Sequence, residues 1–166
     1  WWTDAIARRV RLLETHEVDT VLDIGANAGQ YGRQLRHAGY TGRIVSFEPL
    51  RAAHDGLAAL AAQDPNWVTF PIGLGDEAGD FEIHVANNSQ SSSLLPMAQL
   101  HVSAAPETSY VSSETVTVDT LDGFVQAHPE VLGKNTFVKI DAQGYESRIL
   151  DGGVDVIAGA VGVQLE

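Results

Sequence analysis

The sequence predicts an α/β fold: a parallel sheet with helices on both faces. Three observations carry this expectation. Short apolar runs alternate with amphipathic stretches through the first 72 residues. Those runs are apolar almost throughout, as strands covered on both faces must be. The first two end in Gly25 and Glu48, and open α/β sheets place their ligands beyond such strand ends.

The elements follow in order. Ile6, Val10 and Leu13 recur at helical spacing behind Thr3, a predicted N-cap. Thr20–Ile24 reads as a strand stopping at Gly25. Gly29 to Ala38 reads as a helix with Tyr31, Leu35 and Ala38 inward and Gly39 behind it. Arg43–Glu48 is a second strand, and an alanine-rich helix with Leu50, Ala53, Leu57 and Leu60 inward runs to Asp64-Pro65. Trp67–Ile72 is a third strand. The pattern then changes: Phe81, Ile83 and Val85 alternate with Glu82 and His84, and Val116 and Val118 sit in a second alternating run. Residues 79–119 are therefore expected to form an antiparallel insertion, with an Asn- and Ser-rich loop at 87–93. A short helix around Leu121–Val125, a strand at Thr136–Ile140, a helix through Ser147–Leu150 stopped by Gly152-Gly153, and a strand at Val161–Leu165 complete the chain.

The chain has 166 residues, one domain's worth, and 44% of them are hydrophobic. It has no cysteine, so disulfides, thiolate metal sites and a cysteine nucleophile are excluded. No apolar run approaches the roughly 18 residues of a membrane span, and no signal-peptide pattern opens the chain; a cytoplasmic protein is expected. The net charge is −12, unevenly spread: residues 52–133 hold eleven acidic residues and no Lys or Arg. Such a segment repels phosphate backbones and anionic lipid, so neither nucleic acid nor a membrane is an expected partner.

The chemistry is expected at the strand ends. Gly25 and Gly29 bracket a strand-to-helix loop where backbone N–H groups approach a ligand and the helix dipole favours an anion. A side chain at position 25 would occupy that ligand's space. The spacing is G-x-x-x-G, not the G-x-G-x-x-G of dinucleotide folds. Asp23 suits a ligand ammonium. Glu48, 23 residues beyond Gly25, stands where an acidic residue accepts hydrogen bonds from both ribose hydroxyls of an adenosine cofactor.

Three stretches, VLDIGANAGQYG at 21–32, IVSFEPL at 44–50 and VKIDAQGYESRILDGG at 138–153, together resemble the FkbM family of S-adenosylmethionine-dependent methyltransferases. TVDTLD at 117–122, GLGDEAG at 73–79 and SSSL at 91–94 support it. The resemblance implies a Rossmann-like class I methyltransferase sheet and a single methyltransferase domain over 1–166. That domain is expected to be incomplete at its C-terminus, because V-G-V-Q-L-E corresponds to the fifth strand of a fold that continues into two more. An uncovered apolar edge strand would favour a homodimer. The implied activity is O-methylation of a hydroxyl on a sugar or secondary metabolite, with S-adenosylmethionine as cofactor. Implied cofactor contacts are Asp23, Gly25, Ala26, Asn27, Gly29, Glu48, Pro49, Gly73, Leu74 and Asp141.

Asp141 ends the fourth parallel strand and has three readings: a contact to the methionine amino group, a cation ligand, or the base for the acceptor hydroxyl. His84 and His101 are further candidates to face the acceptor, with His84 the second expected catalytic residue. Asp141, Gln143 and Glu146 carry oxygen ligands suited to a divalent cation, but too few carboxylates converge for a metal site to be expected. Gln143 stands where the family usually has a second acidic residue. Lys139 either pairs a carboxylate or touches substrate. Two other classes stay open: a non-catalytic S-adenosylmethionine-binding module, and, less favoured without the glycine triplet, a nicotinamide-dependent oxidoreductase.

Overall fold

The computed structural model describes residues 2–86 and 110–166, with side chains at 5–83 and 113–166. Helix α1 (Trp2–Thr15) leads into β1 (Thr20–Ile24), α2 (Gln30–His37), β2 (Arg43–Phe47), α3 (Arg51–Ala61) and β3 (Trp67–Phe70). Then come β4 (Gly73–Gly75), β5 (Gly79–Ala86), β6 (Tyr110–Thr120), α4 (Leu121–Ala127) and a 3-10 turn (Pro129–Val131). The chain closes with β7 (Thr136–Ile140), α5 (Glu146–Asp151), α6 (Val154–Gly159) and β8 (Gly162–Leu165).

Five strands form a parallel sheet in the order β3-β2-β1-β7-β8. Strand order reverses between β1 and β7, which opens a crevice at their carboxyl ends. The buried apolar side chains of β1, β2 and β7 divide between two cores. Val21 and Ile44 join Val10, Leu13, Leu35, Leu57 and Trp67 beneath α1, α2 and α3. Leu22, Ile24, Val45, Phe47, Val138 and Ile140 meet Leu121, Phe124, Ile149 and Val156 on the opposite face. Phe47, Phe70 and Phe124 pack ring on ring there, at centroid distances of 4.9–5.5 Å.

The structure corrects several element bounds. Thr3 lies within α1 and is not its cap. The third strand ends at Phe70, because Pro71 has no N–H to give the ladder. The 79–119 insertion does not extend the parallel sheet: β5 and β6 pair antiparallel, β4 pairs parallel with β6, and the three form a sheet of their own. Its core is Leu50, Ile83, Val116 and Val118. The helix α5 ends at Asp151 with Gly152 as its C-cap, as the sequence predicts, but a further helix, α6, follows at once, and the Asp122 carboxylate caps it by accepting from the N–H groups of Asp155 and Val156, both at 3.0 Å. A Cβ at Gly152 would lie 1.8 Å from the Gly75 carbonyl oxygen, so glycine here permits close packing of α5 on β4.

Candidate functional site

A cavity of about 740 Å³ opens at the carboxyl ends of β1, β2 and β7. That is within the range of small-molecule sites. Beneath it the parallel register aligns three polar residues in adjacent strands: Asp23 is level with Ser46 on one side and Lys139 on the other. All three are buried. Trp67 Nε1–H donates to Ser46 Oγ at 3.0 Å, and Ser46 Oγ–H donates to Asp23 Oδ2 at 3.5 Å. The Lys139 ammonium is 3.1 Å from Asp23 Oδ1 and 3.6 Å from Asp141 Oδ2, and it donates to the Gly25 carbonyl at 3.4 Å. One lysine therefore joins two carboxylates and the glycine loop, and it also lines the cavity.

The loop geometry follows from close strand contact. Gly25 has φ +77°, and a Cβ there would lie 1.9 Å from the carbonyl oxygen of Asp141. Its glycine is required by neighbouring backbone, a reason the sequence does not show. Gly29 opens α2 at φ +84° and is not on the cavity wall; a Cβ there would meet Leu57 and Leu60 at 3.0 Å, so it serves helix packing. Asp23 also lies off the wall, fully buried, and the ammonium it receives is the chain's own Lys139.

The other expected contacts converge. Gly25, Ala26, Asn27, Glu48, Pro49, Gly73, Leu74 and Asp141 all line the cavity. Glu48 is buried, with Oε2 accepting from Asn27 N–H at 2.8 Å and Oε1 from Leu50 N–H at 3.0 Å. Asp141, with its side chain 29% exposed, accepts from Gln143 Nε2 at 3.1 Å on Oδ1. Glu146 does not pair with Asp141: its Oε1 accepts from the N–H groups of Ala142 and Gly144 and so organises the turn before α5. Among the described residues no cluster of three or more His, Asp or Glu is placed to hold a metal. Nor is any helix among them long and apolar enough to cross a membrane.

The side chain of His84, the loop at 87–93 with Ser91, Ser92 and Ser93, and His101 lie outside the described residues. His37 ends α2, and His128 is the C-cap of α4. Sequence reasoning missed the α1–α2 wall of the cavity, formed by Ile6, Arg9, Gln30, Tyr31 and Gln34. Helical spacing marks Tyr31 as an inward residue and cannot mark what it faces.

Electrostatics at the site have a consequence for stability. Burial pushes the Asp23 carboxyl above its usual range, with Lys139 opposing, and burial likewise raises Glu48, with the N–H groups of Leu50 and Asn27 opposing. An acid whose folded value is raised holds its proton longer in the folded than in the unfolded state. Its stabilising contribution is full below the unfolded value and is lost as pH rises through the folded one. Stability is therefore expected to fall as pH climbs past about 4, where unfolded carboxyls ionise. Denaturant titrations of the protein and of Asp23→Asn from pH 4 upward check this; an identical slope in both would remove Asp23 as a source.

Residues 23–163 match the family model described as the methyltransferase FkbM domain. No curated protein matches the chain. A crystal structure of the methyltransferase FkbM from Methylobacillus flagellatus KT superposes with a TM-score of 0.57 at 16% identity, covering 89% of this chain and 32% of that one. This chain thus spans about a third of that protein's length, and the likeness is one of fold.

Proposed function

The chain belongs to the FkbM methyltransferase family, and from that premise we propose that it binds S-adenosylmethionine in the β1–β2–β7 cavity and methylates a hydroxyl of a sugar or secondary metabolite. The observation that carries this reading is Glu48. Backbone N–H groups of Asn27 and Leu50 anchor one oxygen each, so the carboxylate stands on the wall in one orientation with lone pairs left for two hydroxyls. A vicinal diol, as in ribose, matches that arrangement.

When bound, the cofactor supplies a methyl group on a sulfonium, whose departure leaves a neutral sulfide. The residues then have to hold donor and acceptor in line and accept a proton from the hydroxyl. Gly25, Ala26 and Asn27 provide a wall whose floor is fixed by Lys139. Leu74, Phe47 and Ile72 give the cavity an apolar side suited to a purine. Asp141, at the strand end and oriented by Lys139 and Gln143, presents its carboxylate to the amino group of the ligand or to the acceptor hydroxyl.

Calorimetric titration with S-adenosylmethionine, S-adenosylhomocysteine and NAD tests the cofactor, with binding expected for the first two and none for NAD. Incubation with methyl-labelled cofactor and a panel of sugars and hydroxylated metabolites tests the transfer. Glu48→Ala is expected to weaken cofactor binding by about 1.5–3 kcal/mol, the usual worth of hydrogen bonds to a charged group. Unchanged affinity would remove Glu48 from the ribose.

A further inference from the structure

Helix α1 lies outside the stretch matched by the family model, yet it contributes to the cavity wall through Ala5, Ile6 and Arg9. Arg9 sits with its guanidinium 5.3 Å from the centroid of the Tyr31 ring. Tyr31 is itself 7% exposed, and among the described residues its hydroxyl finds no acceptor for its proton. The guanidinium is a donor and cannot accept the phenolic proton. Burial raises the Tyr31 phenol far above its usual range, so the hydroxyl keeps that proton at any ordinary pH. A buried donor without an acceptor is costly, and beside a cation the group that satisfies both is an anion.

The neighbouring charges narrow the kind of anion. Lys139 Nζ also lies 5.3 Å from the Tyr31 centroid, and it is the same ammonium that holds Asp141. Glu166 also lines the cavity. One end of the cavity thus has a fixed carboxylate, Asp141, and a donor pair, Arg9 with Tyr31. A zwitterionic α-amino acid group needs such a combination, and a planar carboxylate fits the guanidinium fork.

We propose that Arg9 and Tyr31 form an anion subsite that takes the carboxylate of the cofactor's amino-acid end. The assignment rests on the S-adenosylmethionine reading above and adds a helix that the family match does not include.

The test compares S-adenosylmethionine with its decarboxylated analogue by calorimetry, in the unaltered protein and in Arg9→Met and Tyr31→Phe. The unaltered protein is expected to prefer S-adenosylmethionine by about 10–100-fold, the effect of charge-assisted hydrogen bonds. Each variant is expected to lose most of that preference while binding the decarboxylated analogue within about twofold of the unaltered protein. Equal weakening towards both ligands overturns the subsite and makes the pair structural. Undiminished preference for S-adenosylmethionine in both variants also overturns it. If the unaltered protein binds neither nucleoside, the cofactor reading itself fails and this assignment with it. Thermal melts identify a variant that has unfolded; should Tyr31→Phe do so, the partly exposed Arg9→Met decides alone.

Discussion

Gly25→Ala is expected to cost more than about 4 kcal/mol and to leave little folded protein, since domains are stable by only about 5–15 kcal/mol. The added Cβ would lie 1.9 Å from the Asp141 carbonyl oxygen and 2.8 Å from its carbon. Neither strand can yield. Asp141 N–H donates to the Ile24 carbonyl at 3.0 Å, and the N–H groups of Gly25 and Ala26 both donate to Phe47 C=O at 3.1 and 3.0 Å. The left-handed backbone at φ +77° adds roughly 1–2 kcal/mol for any side chain. Thermal or urea unfolding measures the effect. A variant melting within a few degrees of the unaltered protein would show that the β1–β7 junction can open, and that the loop is less constrained than this contact requires.

Lys139→Met is expected to destabilise by about 3–5 kcal/mol, the cost of removing one partner from a buried ion pair. Asp23, with no exposed surface, would lose its cation, and Asp141 would lose the group that orients it. At roughly 2–4 °C per kcal/mol for a chain of this size, the melting midpoint should drop by about 10 °C. Adding Asp23→Asn to Lys139→Met removes the stranded charge and should recover most of the loss, because a neutral pair carries far less desolvation. Cofactor affinity should stay low in the double variant, since Asp141 and the Gly25 carbonyl would still lack their donor. Full recovery of affinity would make Lys139 a counter-ion to Asp23 and nothing more. Failure to recover stability would mean that the buried pair is not where the energy lies.

Local pattern made much of this molecule legible. Continuous apolar runs located β1, β2 and β7 because strands covered on both faces have no polar side to show. Period-two alternation located β5 and β6, whose inner residues Ile83, Val116 and Val118 pack under Leu50. Glu48 could be placed by its distance from Gly25, since the length of one β-α-β unit sets that spacing. The bounds of β3 and the start of α6 were not legible. In one case a proline ended a ladder that apolar residues continued, and in the other a second short helix starts directly after the Gly152-Gly153 stop.

By itself the sequence determined the order of elements, the two-sided burial of the sheet, the strand-end loops and the family, all of which reside in residues near one another in the chain. Only the tertiary structure decided what the buried polar residues do. Asp23, Ser46 and Lys139 look like isolated interruptions in three apolar strands until parallel register sets them side by side. Gly25 lines the cavity, but that its position admits no side chain is seen only when Asp141, 116 residues away, is laid against it. Arg9 looks like one of several basic residues on an amphipathic helix until α1 folds over Tyr31. In each case the deciding contact joins residues distant in the chain. Its energy depends on register and on which backbones approach, and neither leaves a periodic trace in the order of amino acids.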